Sequence, residues 1–394
     1  MRYRFAGFVL DDEALRLFKG DQNVPVEPQV FDLIKVLVTN PGRVVTKDEL
    51  VESVWQGRIV SDATISSRIN AARSALDDDG QRQALIRTVP RRGIELQVPV
   101  ELEDAVPAVA KLATEPMRQR IKYTKSRDGT RIAYATSGSG PPLLRTSHHL
   151  SHLELDWNSA FWRPMFARLS AENTLVRYDV RGTGLSDANL EGAGIEDYLA
   201  DMEAVAEAAG LEQFALVSNL QSTPVAIRFI AENPGRVTRF VVHSGYVRGR
   251  AMRTSAASQS SDPVISLMQN GWGDPNNGFM RAWVSMIIPY ASHQEVTDMI
   301  VLLSGVASPE NVVAARRIID RFTAEGLLDK VKVPTLVIHA RSDTIHPVDE
   351  ARELAMGIEG AELMIVESNH TLTIPSDPTW DEQMDATMEF LAEG

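Results

Sequence analysis

The position where a reacting side chain would be expected holds an aliphatic one. Phe214-Ala215-Leu216-Val217-Ser218 reads as an apolar strand, Asn219-Leu220-Gln221-Ser222 as a tight turn of small and polar residues, and the run from Pro224 as a helix. A sharp strand–turn–helix junction exposes one side chain at its tip, and here that residue is Leu220. A leucine has no lone pair to attack a carbonyl and no proton for a base to remove. Ser218 and Ser222 flank the tip by two residues each and should point away from it. Other chemistry is sparse. The eight histidines form no cluster with workable metal-ligand spacing, His148, His149 and His152 lacking acid or cysteine partners nearby. Ser137-Gly138-Ser139-Gly140 reads as a turn before a strand, not a phosphate loop, so no cofactor is expected.

Stepping outward from these residues, 394 positions exceed a typical single core and predict two domains. The absence of cysteine excludes disulfides and thiolate metal sites and fits a reducing cytoplasm. No apolar run reaches the roughly 18 residues needed to span a bilayer, and the N-terminus lacks a signal core, so the expectation is a cytoplasmic chain without a membrane partner. The net charge of −13 is unevenly spread: residues 1–100 balance 14 Lys and Arg against 14 Asp and Glu. Within them, residues 58–92 hold seven arginines against four acids. Such a local basic face is compatible with DNA binding on an acidic protein, because phosphate contacts are local and screened beyond about 10 Å.

The first hundred residues open with short β-like runs at Phe8-Val9-Leu10, Leu15-Arg16-Leu17-Phe18 and Val24-Pro25-Val26. A helical stripe follows at Val30, Leu33, Ile34, Val36 and Leu37. Thr46-Lys47-Asp48-Glu49 then has the form of a capping box, with Thr46 as N-cap and Glu49 reaching back, and launches a second helix through Trp55. In a third helix, about 62–76, Ile65, Ile69, Ala72 and Leu76 should face the core. Ser66, Asn70 and Arg73 are left on the opposite side, with Arg68 flanking. Two strands around a basic turn close the segment between Leu85 and Leu96.

Residues 1–100 resemble the OmpR-type winged-helix DNA-binding domain. The resemblance rests on the N-terminal sheet, the stretch from Gly42 to Trp55, the third helix and the Thr88-Val89 to Gly93 hairpin. It implies that the third helix enters the major groove of double-stranded DNA and that the hairpin is the wing. On that reading Asn70 and Arg73 read bases, Arg68 and Thr88 contact phosphate, and Arg91 and Arg92 sit on the wing; Asn suits adenine and Arg suits guanine by donor and acceptor geometry. A single winged helix reads few base pairs, so a homodimer is expected.

Residues 101–118, rich in Ala, Glu and Pro, read as a linker without a strand. From 119 to 394 apolar strand-like runs alternate with helical patterns, which predicts a mostly parallel sheet covered by helices. Eight strands are expected, at 121–124, 131–136, 142–146, 174–178, 214–218, 237–242, 335–339 and 362–366. This part resembles the α/β-hydrolase fold. Asp179-Val180-Arg181-Gly182-Thr183-Gly184-Leu185-Ser186 matches the family's D-x-R-G-x-G-x-S motif, and residues 214–224 match its G-x-S-x-G nucleophile elbow with Leu220 in place of the serine. The resemblance places Asp343 and His370 at the acid and base of the triad. Arg145-Thr146-Ser147-His148-His149 stands where the family carries His-Gly beside the oxyanion hole. Loss of an oxyanion donor typically costs roughly 100- to 1000-fold in rate.

The Asp343–His370 pair has three readings: inheritance without function, a polar anchor in an otherwise apolar ligand site, or catalysis without serine as in cofactor-independent dioxygenases of this fold. A cap insertion is expected at about 246–324, its Met252, Met268, Trp272, Met280, Trp283, Met286 and Ile287 either core or pocket lining. The whole chain then reads as a one-component transcriptional regulator and not an enzyme. Its hydrolase-like part would hold a small, largely apolar effector against Ser147, His148, Asn219, Leu220, Gln221, Asp343 and His370. The rivals are an Asp–His enzyme fused to a DNA-binding domain, and a protein-docking module with a collapsed pocket.

Overall fold

A computed structural model describes residues 2–12, 16–20, 22–24, 26–55, 60–90, 92–103, 117–253, 261–274 and 277–393. The chain forms two compact units, Met1–Leu112 and Ala113–Gly394.

In the first unit, strands β1 (Arg2–Phe5), β2 (Phe8–Asp11), β3 (Arg16–Lys19) and β4 (Gln22–Val24) form an antiparallel meander. Helices α1 (Pro28–Val38), α2 (Lys47–Trp55) and α3 (Asp62–Ala75) follow, then the hairpin β5 (Ile86–Val89) and β6 (Gly93–Leu96). Leu10, Leu17, Leu33, Ile34, Leu37, Leu50, Ile65, Ala72, Leu76, Ile86 and Leu96 are all buried in one core. The capping box of α2 is formed: Thr46 Oγ1 accepts from the Glu49 N–H at 3.2 Å, and Glu49 Oε2 accepts from the Thr46 N–H at 2.8 Å. Ser61 caps α3 through the Thr64 N–H. One expectation is corrected. Glu101–Glu103, expected as linker, is a strand, β7, paired antiparallel with β1 at the sheet edge. Its short alternation carries too little apolar pattern to be read without its partner.

The second unit holds an eight-stranded sheet in the order β15-β14-β13-β12-β10-β11-β9-β8. Its members are β8 (Gln119–Lys125), β9 (Arg131–Ser137), β10 (Pro142–Arg145), β11 (Thr174–Tyr178), β12 (Phe214–Asn219), β13 (Val237–His243), β14 (Thr335–Ala340) and β15 (Glu362–Val366). All neighbours from β15 to β11 pair in parallel, while β9 is antiparallel to both β11 and β8. This is an α/β-hydrolase-type sheet, and Leu144, Val176, Leu216, Phe240, Val242 and Val337 bury one of its faces. Helices α4 (Leu153–Asn158), α5 (Arg163–Glu172), α6 (Ile195–Ala208) and α7 (Thr223–Glu232) connect its earlier strands, and between β13 and β14 the described residues form four cap helices: α8 (Ser261–Gly271), α9 (Gly278–Ile287), α10 (His293–Ser304) and α11 (Pro309–Ile319). Among the described residues no single helix is long and apolar enough to cross a membrane.

The D-x-R-G-x-G-x-S stretch is explained by packing. Asp179 is fully buried and its Oδ2 accepts from the Leu153 and Leu185 N–H groups. Gly184 has φ +55°, and a Cβ there would lie 2.2 Å from that same oxygen. Arg181 makes a two-pronged ion pair with buried Asp201 at 2.6 and 2.7 Å. Ser186 Oγ donates to the Asp179 carbonyl and accepts from the Ala133 N–H. Every polar member of the motif holds the loop after β11 against its neighbours.

Candidate nucleic-acid face and ligand cavity

On the first unit, α3 and the β5–β6 hairpin flank an open groove lined by Ser66, Ile69, Asn70, Arg73, Thr88, Arg92 and the start of α2. Asn70 and Ser66 are exposed on the outer face of α3, and Arg92 is exposed on the hairpin. Arg73 is a different case. It is 6% exposed, its guanidinium donates to the Ile86 carbonyl at 3.2 and 3.0 Å, and its Nη2 donates to Thr88 Oγ1 at 2.8 Å. Arg73 therefore ties α3 to the hairpin instead of pointing outward, and it engages the Thr88 hydroxyl as well. The helical wheel placed Arg73 on the Asn70 side correctly, but the last turn of α3 lies over β5, and the long side chain finds a carbonyl there. Arg68 pairs with Glu27 just ahead of α1. Arg91 lies outside the described residues.

The hairpin is pinned at its base. Gly93 adopts φ +148°, and a Cβ there would fall 1.9 Å from the Val45 carbonyl oxygen. Val45 and Ile94 exchange two backbone hydrogen bonds at this point. Sequence reasoning missed Asp78, which it took only as a helix stop. This buried carboxylate accepts from the N–H groups of Asp79, Ala84, Leu85 and Ile86, so it shapes the turn that leads into the hairpin. Burial pushes its pKa up, but the four donors outweigh burial and hold it below the usual aspartate value.

On the second unit, β12 runs into a single 3-10 turn, Leu220–Ser222, and then helix α7 (Thr223–Glu232). Leu220 sits at φ +53°. For an aliphatic residue the left-handed region costs roughly 1–2 kcal/mol, and a fixed surrounding structure must hold it there. The turn supplies that frame. Ser222 Oγ donates to the Asn219 carbonyl at 2.7 Å and lies 2.6 Å from Thr146 Oγ1, and Ser218 Oγ lies 3.1 Å from Thr223 Oγ1. Both flanking hydroxyls are used inside the turn.

Asp343 and His370 do not form the expected pair. Asp343 Oδ1 accepts from the Ile345 and His346 N–H groups and from Thr371 Oγ1, while its Oδ2 is buried without a partner. His370 Nε2 accepts from the Tyr290 N–H at 3.1 Å, Nδ1 has no partner, and the Tyr290 ring stacks on the imidazole at 5.3 Å. An imidazole whose Nε2 already accepts from the cap backbone carries its proton on Nδ1, and burial lowers its pKa. Burial likewise raises that of Asp343. The loop between α9 and α10 thus takes the nitrogen a general base would offer. Sequence spacing says nothing of that loop's path.

Under the cap lies a cavity of about 70 Å³, with Leu220 in its wall. Of the expected ligand contacts, His148, Leu220 and Gln221 line it, whereas Asp343 and His370 do not. Asn219 borders a separate water-sized void with Arg145 and His243, and Ser147 borders another, its hydroxyl bonded to the Tyr178 carbonyl. Trp283 and Ile287 of the cap reach the cavity; Met268, Trp272 and Met280 are core, and Met252 and Met286 are exposed. Unanticipated wall residues are His149, Tyr246, Arg250, Arg316, Asp320 and His346. Sequence gave no signal for these, because they come from four separate segments. Burial first and Arg316 second hold His149 down to about 3; burial, then Arg253, holds His346 well below the ordinary histidine value.

These two architectures define the class: a winged-helix DNA-binding domain of the OmpR type fused to an α/β-hydrolase-fold domain. The comparisons with known proteins agree. Residues 21–96 match the family model "Transcriptional regulatory protein, C terminal". The transcriptional activator CadC of Escherichia coli is 33% identical over 86 residues, which cover 22% of this chain and only 17% of CadC. RutD of Azorhizobium caulinodans is 23% identical over 238 residues, covering 60% of this chain and 86% of RutD. The fold of the second unit is shared with an enol-lactonase from Burkholderia xenovorans LB400 (TM-score 0.56, 20% identity, 69% of this chain and all of that one). A bromoperoxidase from Bacillus anthracis gives TM-score 0.58 at 18% identity, with 69% of this chain and all of that one covered.

Proposed function

We propose that the chain is a one-component transcriptional regulator: the winged helix binds DNA as a homodimer, and the hydrolase-like unit binds a small effector without turning it over. The observation that carries the second half is Leu220 at the tip of an intact elbow while His370 Nε2 accepts a cap N–H. Attacker and base are both lacking. The rival Asp–His enzyme draws no support from a pair that makes neither a hydrogen bond nor an ion pair. A ligand bound under the cap would alter how the α9–α10 loop seats on His370, and so change the state in which the protein holds DNA.

The test is selection of fragmented genomic DNA by the full chain near physiological salt, followed by sequencing. A few sharp sites are expected, weakened by Asn70→Ala and Arg92→Ala. Uniform weak retention, or none, overturns the regulator reading. A protein-docking role for the hydrolase-like unit has one observation in its favour: 70 Å³ is less than half of the roughly 150 Å³ of an apolar cavity that admits benzene. Failure of every small molecule to raise the melting temperature would favour that role.

A further inference from the structure

The cavity under the cap is lined by both apolar and basic side chains. Leu220, Trp162, Trp283, Met299 and Leu303 form the apolar walls. The lining also carries two arginines, Arg250 and Arg316, and one acid, Asp320. Arg316 is already committed, its Nε 3.1 Å from both carboxylate oxygens of Asp320. Arg253, just behind, is committed to Glu350 at 3.0 Å. Arg250 is half-buried, and among the described residues no carboxylate lies within ion-pair distance of it. Asp320 is shared between the bonded Arg316 and the more distant Arg250, so among the described residues this lining holds two guanidiniums against one carboxylate, and burying the surplus charge is costly.

A second, independent feature points into the same space. His148 is 5% exposed and lines the cavity; its imidazole stacks on Trp162 at 4.3 Å, and the nearest acid oxygen, of Asp156, is 3.8 Å away. His149 beside it lines the same cavity and has the Gln221 side chain as a neighbour. Buried polar groups are nearly always paired, and a neutral imidazole can donate to an anion through one nitrogen.

We propose that the effector is a small organic monocarboxylate, its carboxylate held by Arg250 with help from the His148–His149 edge and its hydrocarbon part against Leu220, Trp283 and Met299. This rests on the sensor reading and deepens it. The expectation of a largely apolar ligand is thereby narrowed to an amphiphilic one. A single spare positive charge suits a monoanion better than a phosphate dianion. The cavity volume suits a short aliphatic chain, and a ring would require α9 or α10 to shift.

The experiment titrates the full-length protein, by calorimetry and thermal shift, with straight-chain carboxylates from acetate to octanoate, with the matching primary amides, and with inorganic phosphate. The expected result is binding of one or more of the shorter acids and of none of the amides. Arg250→Gln should weaken that binding roughly tenfold to a hundredfold, as removal of a charge-assisted contact does, with Arg250→Lys recovering part of it. Amides that bind as well as acids, phosphate as the sole binder, no acid bound at millimolar concentration, or an Arg250→Gln protein of undiminished affinity would each overturn the proposal. Carboxylate binding with no effect on DNA would keep it and sink the sensor reading. A DNA response to a neutral compound alone would do the reverse.

Discussion

At the residue scale the decisive positions are Leu220, His370 and Arg73. Restoring a nucleophile by Leu220→Ser should not install esterase activity, because His370 Nε2 remains bonded to the Tyr290 N–H and Nδ1 has no carboxylate partner. Hydrolysis of a p-nitrophenyl ester above the parent's background would contradict this account of the base. Arg73→Ala should destabilise the first unit by about 2 kcal/mol, since it removes donors from the Ile86 carbonyl, and charged hydrogen bonds of this kind contribute roughly that much. Asn70→Ala, on an exposed face, should leave the melting temperature unchanged and lower affinity only at selected DNA sites. Urea unfolding of the two variants side by side separates a structural arginine from a reading asparagine.

At the element scale the hairpin and the elbow turn are each held by a backbone geometry that few side chains satisfy. Gly93→Ala combines a φ of +148° with a Cβ 1.9 Å from the Val45 oxygen, so the β6 end of the hairpin must pull away from the start of α2. Loss of DNA binding is expected, while a carboxylate-dependent shift in the second unit should persist. Retained DNA binding at parental affinity would show that the hairpin position does not matter. The elbow is legible because its alternation of apolar, small and polar residues is local. The α9–α10 loop is not, because Pro289, Tyr290 and Ala291 carry no sign that they will lie on a histidine 80 positions away.

For the whole molecule, buried neutral imidazoles set an acid limit. His148, His149, His243 and His346 all have folded-state pKa values below the ordinary 6.5, burial being the first cause in each, with His149 at about 3 and His243 at about 4. At these four groups the unfolded chain binds more protons than the folded one, so their contribution to stability is lost as pH drops from about 6.5 toward 4. Asp156, pushed up to about 7 by burial and then by Asp179, acts in the opposite sense: its contribution falls as pH rises from about 4 to 7. Melting temperatures recorded from pH 4 to 8 should show net loss on the acid side, shallower in His243→Gln than in the parent. A profile flat from 6.5 to 4 would mean these imidazoles are solvated. Sedimentation in the presence of an operator duplex checks the expected dimer.

The sequence by itself determined the two units, the eight strands of the large sheet, the three helices and hairpin of the small one, the capping box at Thr46–Glu49 and the aliphatic apex. These rest on periodicities and turn chemistry that act over a few residues. Tertiary structure alone decided which polar side chains meet. It turned Arg73 from a base reader into a brace, separated Asp343 from His370, made a strand of Glu101–Glu103, and brought Arg250, Arg316, His148 and His149 to the lining of one cavity. Those outcomes depend on chain segments far apart in sequence, and on long side chains whose direction is fixed by whichever partner packing leaves within reach.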